Sequence, residues 1–376
     1  MILLLPGLAL ATGETDEITI EEGVSEIMEE VDVSSWDAWF AAQSDEMKEL
    51  WDGLMPSDFL EQMVFDGGGE LFSWEGITDA LSKTLLGALP SAMILMMAYC
   101  GFAVLGGTVR GIQFKGELAA TAQLIFLAAV GCFALAQMWT LIKDCRSTLL
   151  GLASLMEILL PTMVALLALF GAGSSAAVMQ PASAVLSGTI ISLIVSTVMP
   201  LAIIGGVVGI IDTVMRKERS SGMGKLCNRL CKWAVGGCSL LYLLFTTIRG
   251  AAANAADSVL LKTGKFAASS LPFVGRLVAD SMDTVYGCMV LVKNAVGITG
   301  IVIGLFWVLR PVLLLLLNIL ALRGAAALCA PIGDEAYLKV LSTLSDMLAV
   351  LLGALIAVLM MFVVTIGLLG GIGTSA

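Results

Sequence analysis

Long runs of apolar residues recur from residue 84 to near residue 372, and the polar residues between them fall in short clusters. A helix needs about 20 apolar residues to cross a ~30 Å hydrocarbon core, and the runs predict spans over 84–109, 118–142, 233–248, 294–322 and 347–372. Segment 233–248 is short for a crossing. Segment 294–322 is long and is interrupted by Arg310 and Pro311, where a kink and a polar group coincide. Before residue 83 the pattern changes. There Asp45, Glu46 and Glu49 flank Met47, Leu50 and Leu54, a helical spacing with one narrow apolar stripe. The predicted fold is all-α: a polytopic α-helical membrane protein with broken or re-entrant helices and a small exported acidic helical segment.

Two stretches fit neither an ordinary span nor a loop. Residues 149–211 contain two apolar runs, broken by Pro161, Pro181 and the tract GAGSSAAVMQP. Irregular backbone at membrane depth is tolerated only when buried in protein or lining a cavity. The candidate re-entrant element therefore comprises Gly171, Gly173, Ser174, Ser175, Gln180 and Pro181, although close helix approach through small residues explains the same composition. Residues 250–293 are too polar for a span and too apolar for a loop. Within and just after them Arg276, Asp280, Asp283, Gly287 and Asn294 recur at spacings of 4, 3, 4 and 7, which places all five on one helical face. Charged groups in a membrane usually face a bundle interior or a water-filled cavity. Arg276, Asp280, Asp283 and Asn294 are accordingly candidate conduit-lining or gating residues, or else a structural ion-paired stripe. Glu157, a lone acid within LASLMEILLP, is a further candidate, with pairing to Arg310 or Lys293 as the simpler explanation.

Charge divides the chain. Residues 12–82 hold twenty Asp and Glu against one basic residue, Lys48, whereas from Lys83 onward nineteen Lys and Arg face eleven acids. The domains read as a signal-peptide remnant over 1–11 (MILLLPGLALA, with Ala9 and Ala11 in an A-x-A pattern), an acidic extracytoplasmic segment over 12–82, and a multi-span membrane domain over 83–376. Trp36, Trp39, Trp51 and Trp74 lie in or beside the acidic part, either as a solvated cap or as anchors for an external partner. With the N-terminal segment outside, the positive-inside rule puts Arg110, Lys115 and the basic loop 215–232 in the cytoplasm. Residues 149–211 must then cross an odd number of times, which one re-entrant stretch would satisfy. In the loop, Arg216, Lys217, Arg219, Lys225, Arg229 and Lys232 form a candidate cytoplasmic docking surface. Contact with anionic lipid is the plainer use of such charges.

The whole chain is 58% hydrophobic and only 14% charged, which places it in the membrane class, and no basic face exists outside loops beside spans to bind nucleic acid. It contains no histidine, which excludes Ser-His-Asp hydrolysis and His-ligated zinc. None of the eight cysteines pairs at CxxC spacing, so they read as structural thiols, and no GxxxxGK[ST] loop is present for nucleotide hydrolysis. No catalytic residue, cofactor or metal is expected. An aspartyl hydrolase using Asp280 and Asp283 is disfavoured, because a catalytic dyad draws on two elements held face to face.

The runs LPTMVALLALFGAGSSAAVMQP and KFAASSLPFVGRLVADSMDTVYGCMVLVKNAVGITG, followed by CAPIGD, resemble the stage III sporulation protein AE family over roughly residues 85–372. The resemblance implies a permease-like or export-gate-like subunit of the channel complex that links mother cell and forespore during endospore formation. It implies partners in the other stage III sporulation complex subunits, including a cytoplasmic secretion-type ATPase and ring-forming bitopic proteins. The expected location is the mother-cell membrane surrounding the forespore. A free-standing secondary transporter for a small solute and a non-conducting scaffold of the same complex are the competing readings.

Overall fold

The computed structural model describes residues 25, 33–42, 55–65, 74–111, 117–169, 185–214, 222–269, 275–331 and 334–371. Side chains within these are described outside 74–80, 110–111, 117–120, 167–169, 249–286, 289 and 371. Every regular element among the described residues is helical: α1 Ser34–Ala41, α2 Pro56–Phe65, α3 Trp74–Gly111, α4 Glu117–Leu169, α5 Val185–Val214, α6 Met223–Ser269, α7 Gly275–Cys329 and α8 Glu335–Gly371. Helix α5 contains a π-helical turn over Ile194–Val198, ending two residues before Pro200. Helices α3 to α8 are each long and apolar enough to cross a membrane. The chain is a multi-pass α-helical membrane protein.

Three helical hairpins turn at the same end of the bundle. Where α3, α4 and α8 meet, the Tyr337 hydroxyl donates to the Tyr99 carbonyl at 2.5 Å, Phe126 lies 6.3 Å from the Tyr337 ring, and Gln123 hydrogen-bonds Asp334. Further in, Gly131 of α4 abuts Ile210 of α5, and Gly209 of α5 abuts Thr343 of α8. Arg323, near the end of α7, donates from Nε to Ser345 Oγ at 3.0 Å and faces Asp346 at 3.9 Å. The C-terminal ends of α3, α5 and α7 thus stand beside the N-terminal ends of α4, α6 and α8.

The expected break after residue 142 does not exist. Helix α4 runs unbroken through Lys143, Asp144, Arg146 and Pro161. Its buried face explains this: Met138, Ile142, Cys145, Leu149, Leu152, Leu155, Leu159 and Met163 continue one stripe at helical spacing, while Lys143, Asp144 and Arg146 point outward. The three charges interrupt the mean hydropathy but not the packing face. The two apolar runs of 149–211 are therefore divided differently from expectation. Residues 149–166 extend α4, and Val185–Val214 is long and apolar enough to supply the single crossing expected of this stretch. The tract from Gly171 to Pro181 lies outside the described residues. Segment 233–248 is likewise the early part of a 47-residue helix, and α7 continues through Arg310 and Pro311 without ending.

Helices α4 and α7, with 53 and 55 residues, are roughly 80 Å long at 1.5 Å per residue. That is more than twice the ~30 Å core. The two short acidic helices dock partway along them. Trp36, Trp39 and Phe40 of α1, with Phe59, Leu60, Met63 and Val64 of α2, are buried in the same core as the bundle. The Trp39 ring sits edge-on to Trp307 of α7 at 5.4 Å, and Trp307 Nε1 donates to the Thr148 carbonyl of α4 at 3.1 Å. Asp37 Oδ1 accepts the Ser57 N–H at 3.1 Å and ties α1 to α2. Trp36 and Trp39, read from sequence as possible anchors for an external partner, are instead spent inside the chain, at 1% and 8% exposure.

Candidate functional site

The polar stripe read from the sequence lies on a single helix, since Arg276, Asp280, Asp283 and Asn294 all belong to α7. The side chains of Arg276, Asp280 and Asp283 are outside the described set. Asn294 is half-buried, and its neighbour Lys293 is fully buried, at 0% exposure. Lys293 enters the sequence reading only as a partner for Glu157. Its position on the interior face was legible, however, because Cys288, Val292, Val296, Thr299 and Ile303 continue that face at helical spacing. Glu157 points outward from α4 and forms no ion pair among the described residues. Burial of an ammonium in a membrane bundle is costly without compensating partners. Nearby in the helix packing, Gly297 faces Met163 of α4 and Ile366 of α8, one residue from Thr365. The Thr365 hydroxyl shares a hydrogen bond with the Tyr242 hydroxyl of α6, and Thr246 donates to the Tyr242 carbonyl at 2.8 Å.

A second polar site, missed in the sequence, lies at the hairpin end between α5, α6 and α8. It is built on glycine. A Cβ at Gly224 of α6 would sit 2.9 Å from both the Gly205 carbonyl oxygen and the Gly209 Cα of α5. Backbone thus meets backbone there, the close approach that small residues permit between membrane helices. The same glycines leave a cleft of about 160 Å³, lined by Asp212 and Thr213 of α5, Lys225 and Asn228 of α6, and Lys339, Thr343 and Asp346 of α8. Lys225 and Lys339 are exposed at its rim, whereas Asp212 and Asn228 are half-buried. Asp212 Oδ2 and Asn228 Oδ1 are buried atoms with no hydrogen-bond partner. Of the predicted docking loop, Lys225, Arg229 and Lys232 lie exposed on the first turns of α6, and Arg216, Lys217 and Arg219 are outside the described residues. The signal for this cleft was the Gly205-Gly206-x-x-Gly209 spacing next to Asp212.

A family model described as Stage III sporulation protein AE matches residues 56–373. The chain belongs to that family. The match begins at α2, so part of the acidic segment belongs to the family's shared region and not only the spans. Among curated relatives, this family member is 26% identical over 335 residues to Stage III sporulation protein AE of Bacillus subtilis (strain 168), covering 85% of this chain and 83% of the relative. No solved structure matches it.

Proposed function

We propose that the chain is the membrane-embedded, permease-like or export-gate-like subunit of the channel complex between mother cell and forespore, and that it is not an enzyme. Membership of a stage III sporulation family supports a role in sporulation. One geometric observation carries the reading further. The cap docks on Trp307 of α7, whose indole donates to the Thr148 carbonyl of α4, 31 residues from the start of that helix at Glu117, which is roughly 45 Å of helix and exceeds the ~30 Å hydrocarbon core. The cap, with its exposed acids Asp58 and Glu61, and the first turn of α4 at the hairpin end are therefore more than a hydrocarbon core apart along that helix. This supports an exported acidic face and a cytoplasmic face with Lys225, Arg229, Lys232 and Lys339, in line with the positive-inside rule. The basic face suits a cytoplasmic secretion-type ATPase, and the acidic face suits ring-forming bitopic partners in the space between the two membranes. In this reading Arg276, Asp280, Asp283, Asn294 and Glu157 line or gate the conduit, and the tract Gly171–Pro181 forms a re-entrant element against it.

Deleting the gene in its host tests the assignment. Normal vegetative growth with arrest after forespore engulfment is the expected phenotype. A nutrient-dependent growth defect with full sporulation would instead favour a solute transporter. Within the same assay, Asp283→Leu is expected to lower spore yield sharply while immunoblots show wild-type amounts in the membrane. Normal sporulation of that variant would reduce the stripe to a structural role.

A further inference from the structure

The cleft at the α5–α6–α8 junction has the chemistry of a binding site in its own right. Asp212 and Asn228 line it, and each carries a buried oxygen, Oδ2 and Oδ1, that is shielded from solvent and unsatisfied by the protein. Leaving such atoms unpaired is costly, so they call for a donor. Its rim offers two cations, Lys225 and Lys339, which make no ion pair with Asp212. The remaining acid, Asp346, is already engaged by Arg323 at 3.9 Å. A bare divalent cation is a poor match, because hard cations want several oxygen ligands and no neighbouring ammonium groups. Size narrows the choice further. A volume of about 160 Å³ falls below the ~300 Å³ at which drug-sized ligand pockets begin.

We propose that this cleft binds a small zwitterion, with its ammonium group against Asp212 and Asn228 and its anionic group against Lys225 and Lys339. Two sources carry that chemistry: a phosphatidylethanolamine headgroup reaching in from the adjoining leaflet, and a free amino acid or phosphoethanolamine. Phosphatidylcholine has the same charges, but its quaternary nitrogen has no N–H to donate. It is therefore the discriminating control.

The experiment uses the full-length protein in nanodiscs of phosphatidylglycerol mixed with either phosphatidylethanolamine or phosphatidylcholine. Lipid retained after detergent exchange is counted by native mass spectrometry, and glycine and phosphoethanolamine are titrated calorimetrically into the phosphatidylcholine discs. Selective retention of phosphatidylethanolamine identifies the headgroup as ligand, and binding of either free zwitterion identifies the soluble source. In both cases Asp212→Asn should weaken binding about tenfold, the loss of one charge-assisted hydrogen bond. Lys339→Met, at an exposed position, should weaken it while leaving the fold intact. The proposal is overturned if neither free zwitterion binds and the two lipids are retained equally. Binding that is unchanged in both variants overturns it as well.

Discussion

Replacing Trp39 with alanine should release the acidic cap from the bundle while leaving the protein in the membrane. Trp39 is 8% exposed and stacks edge-on against Trp307 at 5.4 Å. Truncating a buried Trp to Ala costs about 3–5 kcal/mol, of which the aromatic pair supplies about 0.5–1.5 kcal/mol. The eight residues of α1 have no independent means of staying helical, since isolated helices below about 12–15 residues are marginal in water. The loss should therefore appear as undocking and not as a local adjustment. Hydrogen exchange across residues 33–42 and 55–65 would rise to the rate of an open segment, and protease would cut there more readily in the variant. Unchanged protection would show that Trp36 and the α2 residues hold the cap without Trp39. A double-mutant cycle with Trp307→Ala should return a coupling of about 1 kcal/mol, because the two rings touch. The spans themselves should persist, since their burial rests on α3 to α8.

Gly224→Val should be the most damaging single substitution at the hairpin end. A side chain there meets the carbonyl oxygen of Gly205 and the Cα of Gly209, both backbone atoms of α5, so no rotamer change relieves the clash. Overpacking of this kind costs about 1–3 kcal/mol where side chains give way, and more where the helices themselves must separate. The expected result is a large fall in the amount of protein recovered in monodisperse form and in its unfolding temperature. Gly237→Ala makes the opposite comparison. It is an exposed helical glycine with nothing within 4 Å of the added Cβ, and the change should stabilise by about 0.5–1 kcal/mol through helix propensity alone. If both substitutions left thermal unfolding unchanged, the α5–α6 crossing would not be set by glycine.

The contrast between these two glycines also marks how far the chain could be read without its fold. GxxxG-like spacing was visible at Gly205 and Gly209, yet nothing local distinguishes Gly224 from Gly237, because the difference lies in which face meets a neighbour. The same holds for the candidate site. Asn294 and Lys293 fall on or beside a face that periodicity could trace, whereas Asp212, Asn228, Lys339 and Asp346 come from three helices and converge only when those helices pack. Glu157, plausible in sequence as a mid-span charge, sits on the outward face of α4 because Leu155, Leu159 and Met163 occupy the inward one.

The resemblance of its irregular runs pointed to the family, and hydropathy and charge by themselves determined the membrane class and the acidic composition before residue 83. These properties are sums over consecutive residues, and a bilayer reads a chain in just that way, by total apolar length. Only the tertiary structure decided that α4 passes unbroken through Lys143–Arg146 and Pro161, that Trp36 and Trp39 are consumed within the chain, and that a polar cleft opens at the hairpin end. Those outcomes depend on one face of each helix and on partners more than a hundred residues away, as in the contact of Thr148 with Trp307 or Gly209 with Thr343. An average over all faces erases that information, and packing restores it.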